Sequence, residues 1–113
     1  MSGGHWNYMG GPLRDMLEEI GGDADVRERF PLISTALLGR EHDEVGGLAQ
    51  VLYDVEHVLD WDFSADSHIH DDRVFEREAL WRLLRAVMIA APDEWFPRGK
   101  WATIQAVEGR REA

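Results

Sequence analysis

The chain has 113 residues, and its 22 Asp and Glu outnumber 12 Lys and Arg, for a formal charge of -10 with the five His neutral. One compact domain about 13 Å in radius is expected at this length, and 44% apolar residues exclude a disordered acidic tail. The lack of Cys excludes disulfides, thiolate catalysis and Cys-based metal sites, and the negative charge argues against a reader of duplex DNA, which neutralises phosphates with Lys and Arg.

Residues 1–11 form a Gly-rich aromatic segment ahead of the first helical pattern. Pro12 to Ile20 reads as a short helix, because Leu13, Met16, Leu17 and Ile20 recur at i, i+3, i+4 and i+7. Gly21-Gly22 should stop it. Asp23 or Asp25 can cap a second segment reaching Phe30, where Pro31 forces a break or a restart. Leu32, Ile33, Leu37 and Leu38 make another apolar turn or two, closed by Gly39. The clearest helix carries Leu48, Val51, Leu52, Val55, Val58 and Leu59 on one stripe. Its start is expected near Asp43 or Glu44, with Gly46-Gly47 in a first turn that is frayed or packed closely on a neighbour.

From Asp60 to Asp72 the helical pattern fails, and the stretch reads as an ordered polar loop. Asp71 or Asp72 should cap the last strong helix, where Ala79, Leu80, Leu83, Leu84, Val87, Met88 and Ala91 repeat until Pro92. Trp95, Phe96 and Trp101 suggest that the tail packs back, with Trp101 to Val107 as a strand or short helix and Gly109 to Ala113 frayed. The expected architecture is a single all-α domain, a small antiparallel bundle of three to four helices spanning 12–91 with a packed aromatic C-terminal extension over 92–113. No apolar run of membrane-spanning length and no leader pattern is evident, so a cytoplasmic protein is expected.

Two signatures stand out together: Ser2-Gly3-Gly4-His5-Trp6-Asn7-Tyr8 at the start, and Leu59-Asp60-Trp61-Asp62-Phe63-Ser64-Ala65-Asp66 in the centre. They resemble a group of small uncharacterised phage, prophage and bacterial proteins with a Ser-Gly-Gly-x-x-Asn-Tyr start. In that group two helices lead to an Asp-Trp-x-x-Ser-Gly-Asp segment, an acidic stretch and a Phe-containing helix, the place held here by Asp72-Arg73-Val74-Phe75-Glu76. The resemblance covers residues 2 to 85 in order and type of element, and departs from the group's pattern in having Ala65 where that pattern has Gly. It implies the context of a mobile-element accessory gene and supplies no mechanism.

Four features carry chemistry. Asp60, Asp62, Ser64, Asp66, His68 and Asp71 fall at positions 1, 3, 5, 7, 9 and 12 of an EF-hand-like count. Ala65 replaces the turn Gly, however, and a capping and turn role for these residues is the competing account. His68 and His70 with Asp71 and Asp72 offer imidazole and carboxylate to a divalent metal, against a plain solvated loop. Trp6 and Tyr8 are either aromatic anchors of a recognition segment or a cover over the bundle end. Between Asp54 and Glu78 nine carboxylates face only Arg73 and Arg77, a balance of -7, whereas Arg98 to Ala113 carries +2.

That acidic band is either a solubilising face or a docking surface for a basic partner. No Gly-x-Ser-x-Gly elbow or Walker motif is present, so an enzymatic function has little support. The expected function is therefore a small non-enzymatic accessory factor that binds a host or phage protein with a basic surface. The residues expected to do so are Trp6, Tyr8, Asp54, Asp62, Asp66, Asp71, Asp72 and Glu76. An inhibitor of a bacterial defence or nucleic-acid enzyme fits that description. The alternative, from a different class, is a metal- or small-ligand-binding domain with Asp60, Asp62, Asp66, His68, His70 and Asp71 as ligands and a divalent cation as cofactor. Five Trp are many for so small a core, which also points to a homo-oligomer.

Overall fold

The computed structural model describes residues 8–40, 46–65 and 71–111, with side chains described as far as 60 in the second stretch and 110 in the third. Among the described residues there are six α-helices and one 3-10 turn, so the chain is all-α. α1 runs from Gly10 to Gly22, which puts Pro12 in the first turn, where its missing N–H has no intrahelical acceptor to lose. Leu13 and Leu17 are half-buried toward the rest of the molecule. Asp23 then serves two helices at once. Its backbone N–H donates to Ile20 O at 3.2 Å to close α1, and its Oδ1 accepts from the N–H groups of Asp25 and Val26 at 2.9 and 3.1 Å to open α2, Ala24–Arg29. Pro31, at the first position of α3 (Pro31–Leu38), restarts the chain as a helix.

The glycines do something other than stop helices. Gly21 is helical and buried, and a Cβ there would lie 2.8 Å from Leu38 Cγ and 3.2 Å from Leu37 Cβ, so its bare backbone lets α3 cross α1 closely. Ser34 Oγ donates to Gly21 O at 2.5 Å across that crossing. Gly46-Gly47, expected within the first turn of the long helix, precede it. α4 begins at Leu48, and a Cβ on Gly47 would overlap the backbone of Gly39, which itself has φ of 81°. Asp43 and Glu44 lie outside the described residues.

α4 continues to Ala65, which corrects the polar loop expected from Asp60 onward. Nothing between Leu48 and Ala91 is Gly or Pro, so the backbone has no local reason to leave the helix when the side chains become polar. Asp71 caps α5 (Asp72–Ala90) by accepting from the N–H groups of Arg73 and Val74 at 2.9 and 3.1 Å. Ala91 and Pro92 end it as expected. An ion pair between Arg82 Nη2 and Asp54 Oδ2, 2.8 Å long, ties α5 to α4.

Beyond Pro92, a 3-10 turn at Asp93–Trp95 leads to α6, Lys100–Arg111, so the tail is helical. Its packing differs from the aromatic packing expected. Ile104 is buried with Met88 and Ile89 of α5, and Phe96 and Val107 pack on them, while Trp95 and Trp101 are 65% and 51% exposed. The short link to α5 is set by polar contacts. Asp93 Oδ1 accepts from the Lys100 backbone N–H at 2.9 Å, and Lys100 Nζ, in a residue only 5% exposed, donates to Ile89 O and Ala91 O at 3.0 and 2.9 Å. The buried ammonium thus occupies the negative end of the α5 dipole and satisfies carbonyls that no further helical turn can reach.

The helices lie side by side rather than around one centre. α4 packs on α1, α3 and α5, α3 packs on α1 and α5, and α6 packs on α5, while the backbones of α1 and α5 do not approach closely. The extents are 47 × 39 × 19 Å with a radius of gyration of 15.7 Å, against about 13 Å for a compact chain of this length. At about 10 Å per helix, 19 Å is two helices thick. A plate of that kind has little interior.

Candidate protein-binding surface

The acidic band splits in three when it folds. One part turns inward from α4. Glu56 and Asp60 are one turn apart on the same face, and Asp60 is 2% exposed. The two carboxyl groups are hydrogen-bonded to each other, and the Gly10 backbone N–H at the start of α1 donates to Glu56. Burial pushes the Glu56 carboxyl above its ordinary value, the charge of Asp60 and the hydrogen bond to it act in the same direction, and the Gly10 N–H and His57 oppose them. Glu56 Oε1 is enclosed with no hydrogen-bond partner among the described residues. Together Glu56 and Asp60 fasten the start of α1 to the middle of α4, and Gly10 suits the position because a Cβ there would overlap the Glu56 carboxylate.

A second part is occupied in the frame. Asp54 accepts from Gln50 Nε2 at 2.8 Å as well as from Arg82, and Asp71 is spent on capping α5. The third part stays outside: Asp72 and Glu76 are exposed one turn apart at the start of α5. Tyr8 is 58% exposed immediately before α1, in a left-handed backbone conformation with φ of 56°. Trp6, Asp66, His68 and His70 lie outside the described residues, and Asp62 is placed on α4 without its side chain.

The helical path of α4 also alters the calcium reading of this stretch. Asp60, Asp62 and Ser64 sit on the helix rather than in the loop that an EF-hand-like count requires. Asp60, moreover, is committed to Glu56. Among the described residues no group of three or more His, Asp or Glu is placed to hold a metal.

Two features escaped the sequence reading. Asp15, Glu18, Glu19, Asp23, Asp25 and Glu28 form an exposed acidic edge along α1 and α2, eased by Arg14, which approaches Glu18 at 3.4 Å and stacks 4.1 Å over the Tyr53 ring. The signal was present in the acids lying off the Leu13 and Leu17 stripe. A cleft of about 480 Å³ opens between α1, α3, α4 and α5, lined by Glu18, Leu37, Leu38, Gln50 and the Asp54–Arg82 pair. Its lining brings together residues distant in the chain, and no local pattern announces it.

Compared with protein-family models, curated proteins and solved structures, the chain shows no match. No described helix is long and apolar enough to cross a membrane.

Proposed function

We propose that this protein is a small, non-enzymatic protein-binding accessory factor that docks on a partner with a basic surface. One observation carries the proposal. Among the described residues fourteen large hydrophobic side chains are exposed, while only nine hydrophobic residues make up the buried core, four of them Ala. Scattered apolar exposure is ordinary on a protein surface, but contiguous apolar faces rimmed by charge are the mark of contact surfaces. A plate two helices thick has little interior in which to hide them.

The docking surface proposed here centres on Asp72 and Glu76, one turn apart on one face of α5, with the exposed Tyr8 before α1 a further candidate member. Asp62 and Asp66 remain candidate members of it, whereas Asp54 and Asp71 act as supports because their oxygens already hold Arg82, Gln50 and the α5 N-terminus. The resemblance to phage and prophage proteins suggests the setting, and an inhibitor of a bacterial defence or nucleic-acid enzyme would present such an acidic face to a groove that normally takes phosphate.

The test is capture from bacterial lysate with immobilised protein, comparing wild type with the double variant Asp72→Lys and Glu76→Lys. A basic partner recovered by wild type, weakened by added salt and lost with the variant is the expected outcome. Equal recovery by the variant, or recovery indifferent to salt, would overturn the assignment of this surface.

A further inference from the structure

Two apolar faces at opposite edges of the plate carry opposite charge. On α1, Met16 and Ile20 are 52% and 41% exposed and one turn apart, in line with the exposed Met9, and Asp15 and Glu19 are exposed on the same helix. Beyond α3 and α4, a groove of about 270 Å³ runs between α5 and α6. Its lining is almost wholly apolar, with Leu80, Leu84 and Val107 over Trp81, and Arg77 and Arg110 provide its cationic groups. Leu80 and Leu84 are 61% and 45% exposed. Because the backbones of α1 and α5 do not approach closely, one protomer can use both faces at once.

We infer that the occupant of the α5–α6 groove is α1 of a second copy of this chain. Met16 and Ile20 would cover Leu80 and Leu84, and Asp15 and Glu19 would approach Arg77 and Arg110. Charge complementarity selects this pairing over a like-on-like one, since two grooves placed face to face would oppose Arg to Arg and two α1 faces would oppose carboxylate to carboxylate. The contact therefore joins unlike faces, and assembly either closes as a two-fold dimer, where α1 of each copy enters the groove of the other, or proceeds to a larger ring or filament. This inference rests on the exposed apolar surface that also supports the proposed function, but on residues other than Asp72 and Glu76, so either can fail alone.

The test uses two variants at exposed positions, Ile20→Glu, which disables α1, and Leu84→Glu, which disables the groove. Mass in solution is measured by light scattering after size exclusion, with far-UV circular dichroism to confirm helicity, and with Met16→Glu and Leu80→Glu as substitutes should either variant unfold. Wild type is expected to exceed the monomer mass at micromolar concentration and to lose mass as salt is raised, and each variant alone should be monomeric. An equimolar mixture of the two should give a dimer and nothing larger, because only one intact α1 and one intact groove remain. A monomeric wild type, a variant that still oligomerises alone, or a mixture that stays monomeric would overturn the inference.

Discussion

Lys100 is the only lysine in the chain and is buried, so its replacement by Met keeps the stem and removes just the ammonium. Two hydrogen bonds are lost, to Ile89 O and Ala91 O. Bonds from a charged donor contribute about 1.5–3 kcal/mol each, and a buried carbonyl left unpaired costs about 1–3 kcal/mol. Against this, the variant no longer desolvates a cation, the same burial that pushes the Lys100 amine below its ordinary value, with Arg40 assisting and Asp93 opposing. The balance is a loss of roughly 2–3 kcal/mol, which for a domain of this size lowers Tm by roughly 8–13 °C. Urea unfolding followed by circular dichroism measures it, with the midpoint falling and the slope unchanged. Amine-reactive labelling read by mass spectrometry supplies a local check, since folded wild type should protect Lys100 until the chain unfolds. A variant within about 0.5 kcal/mol of wild type, or a lysine labelled as fast in the folded as in the unfolded chain, would refute the role given to this side chain.

Adjacent glycines should respond with opposite sign. Gly21→Ala places a methyl against Leu37 and Leu38 and strains the Ser34 bond, so despite the gain in helix propensity a loss of about 1–3 kcal/mol is expected. Gly22→Ala meets no atom within 4 Å and should gain up to about 1 kcal/mol, both read by chemical denaturation. Ser34→Ala leaves Gly21 O unpaired in a buried crossing and should cost about 1–2 kcal/mol on the same assay. The Glu56 carboxyl holds its proton more tightly folded than unfolded, so its stabilising contribution is complete below the ordinary value of 4.5 and is lost as pH rises through the raised folded value. Glu56→Gln should therefore gain on wild type as pH increases from about 4.5 toward neutrality. Parallel stability profiles for the two proteins would exclude the raised Glu56 carboxyl.

The parts of the fold that local chemistry decides were legible. Asp71 and Pro92 bracket α5 because a carboxylate at an N-cap and a missing N–H act within a few residues. Pro31 marked a restart for the same reason. What tertiary contact decides was not legible. Gly21 read as punctuation and Gly46-Gly47 as either fraying or close packing, because whether a glycine ends a helix or lets a neighbour approach depends on what crosses it. The end of α4 was placed a turn and a half early because Asp60 looks like surface, and only Glu56 and the start of α1 make a buried position tolerable for it. The tryptophans misled in the other direction. Burial was expected of Trp95 and Trp101 from size alone, yet the α5–α6 core is filled by Ile104, Met88 and Ile89. Of the candidate site, the acidic excess was visible along the chain, but its division into an inward pair, structural supports and an exposed remainder required the fold.

The claim that the exposed face at the start of α5 exists for protein contact is tested most directly inside a bacterial cell. A benzophenone amino acid replaces Glu76 in one variant and the exposed Gln105 on α6 in another, each is irradiated, and the adducts are compared by mass. A single heavier adduct at position 76, absent at position 105 and abolished by Asp72→Lys, is the predicted result. No adduct at position 76, or the same set of adducts at both positions, would contradict it.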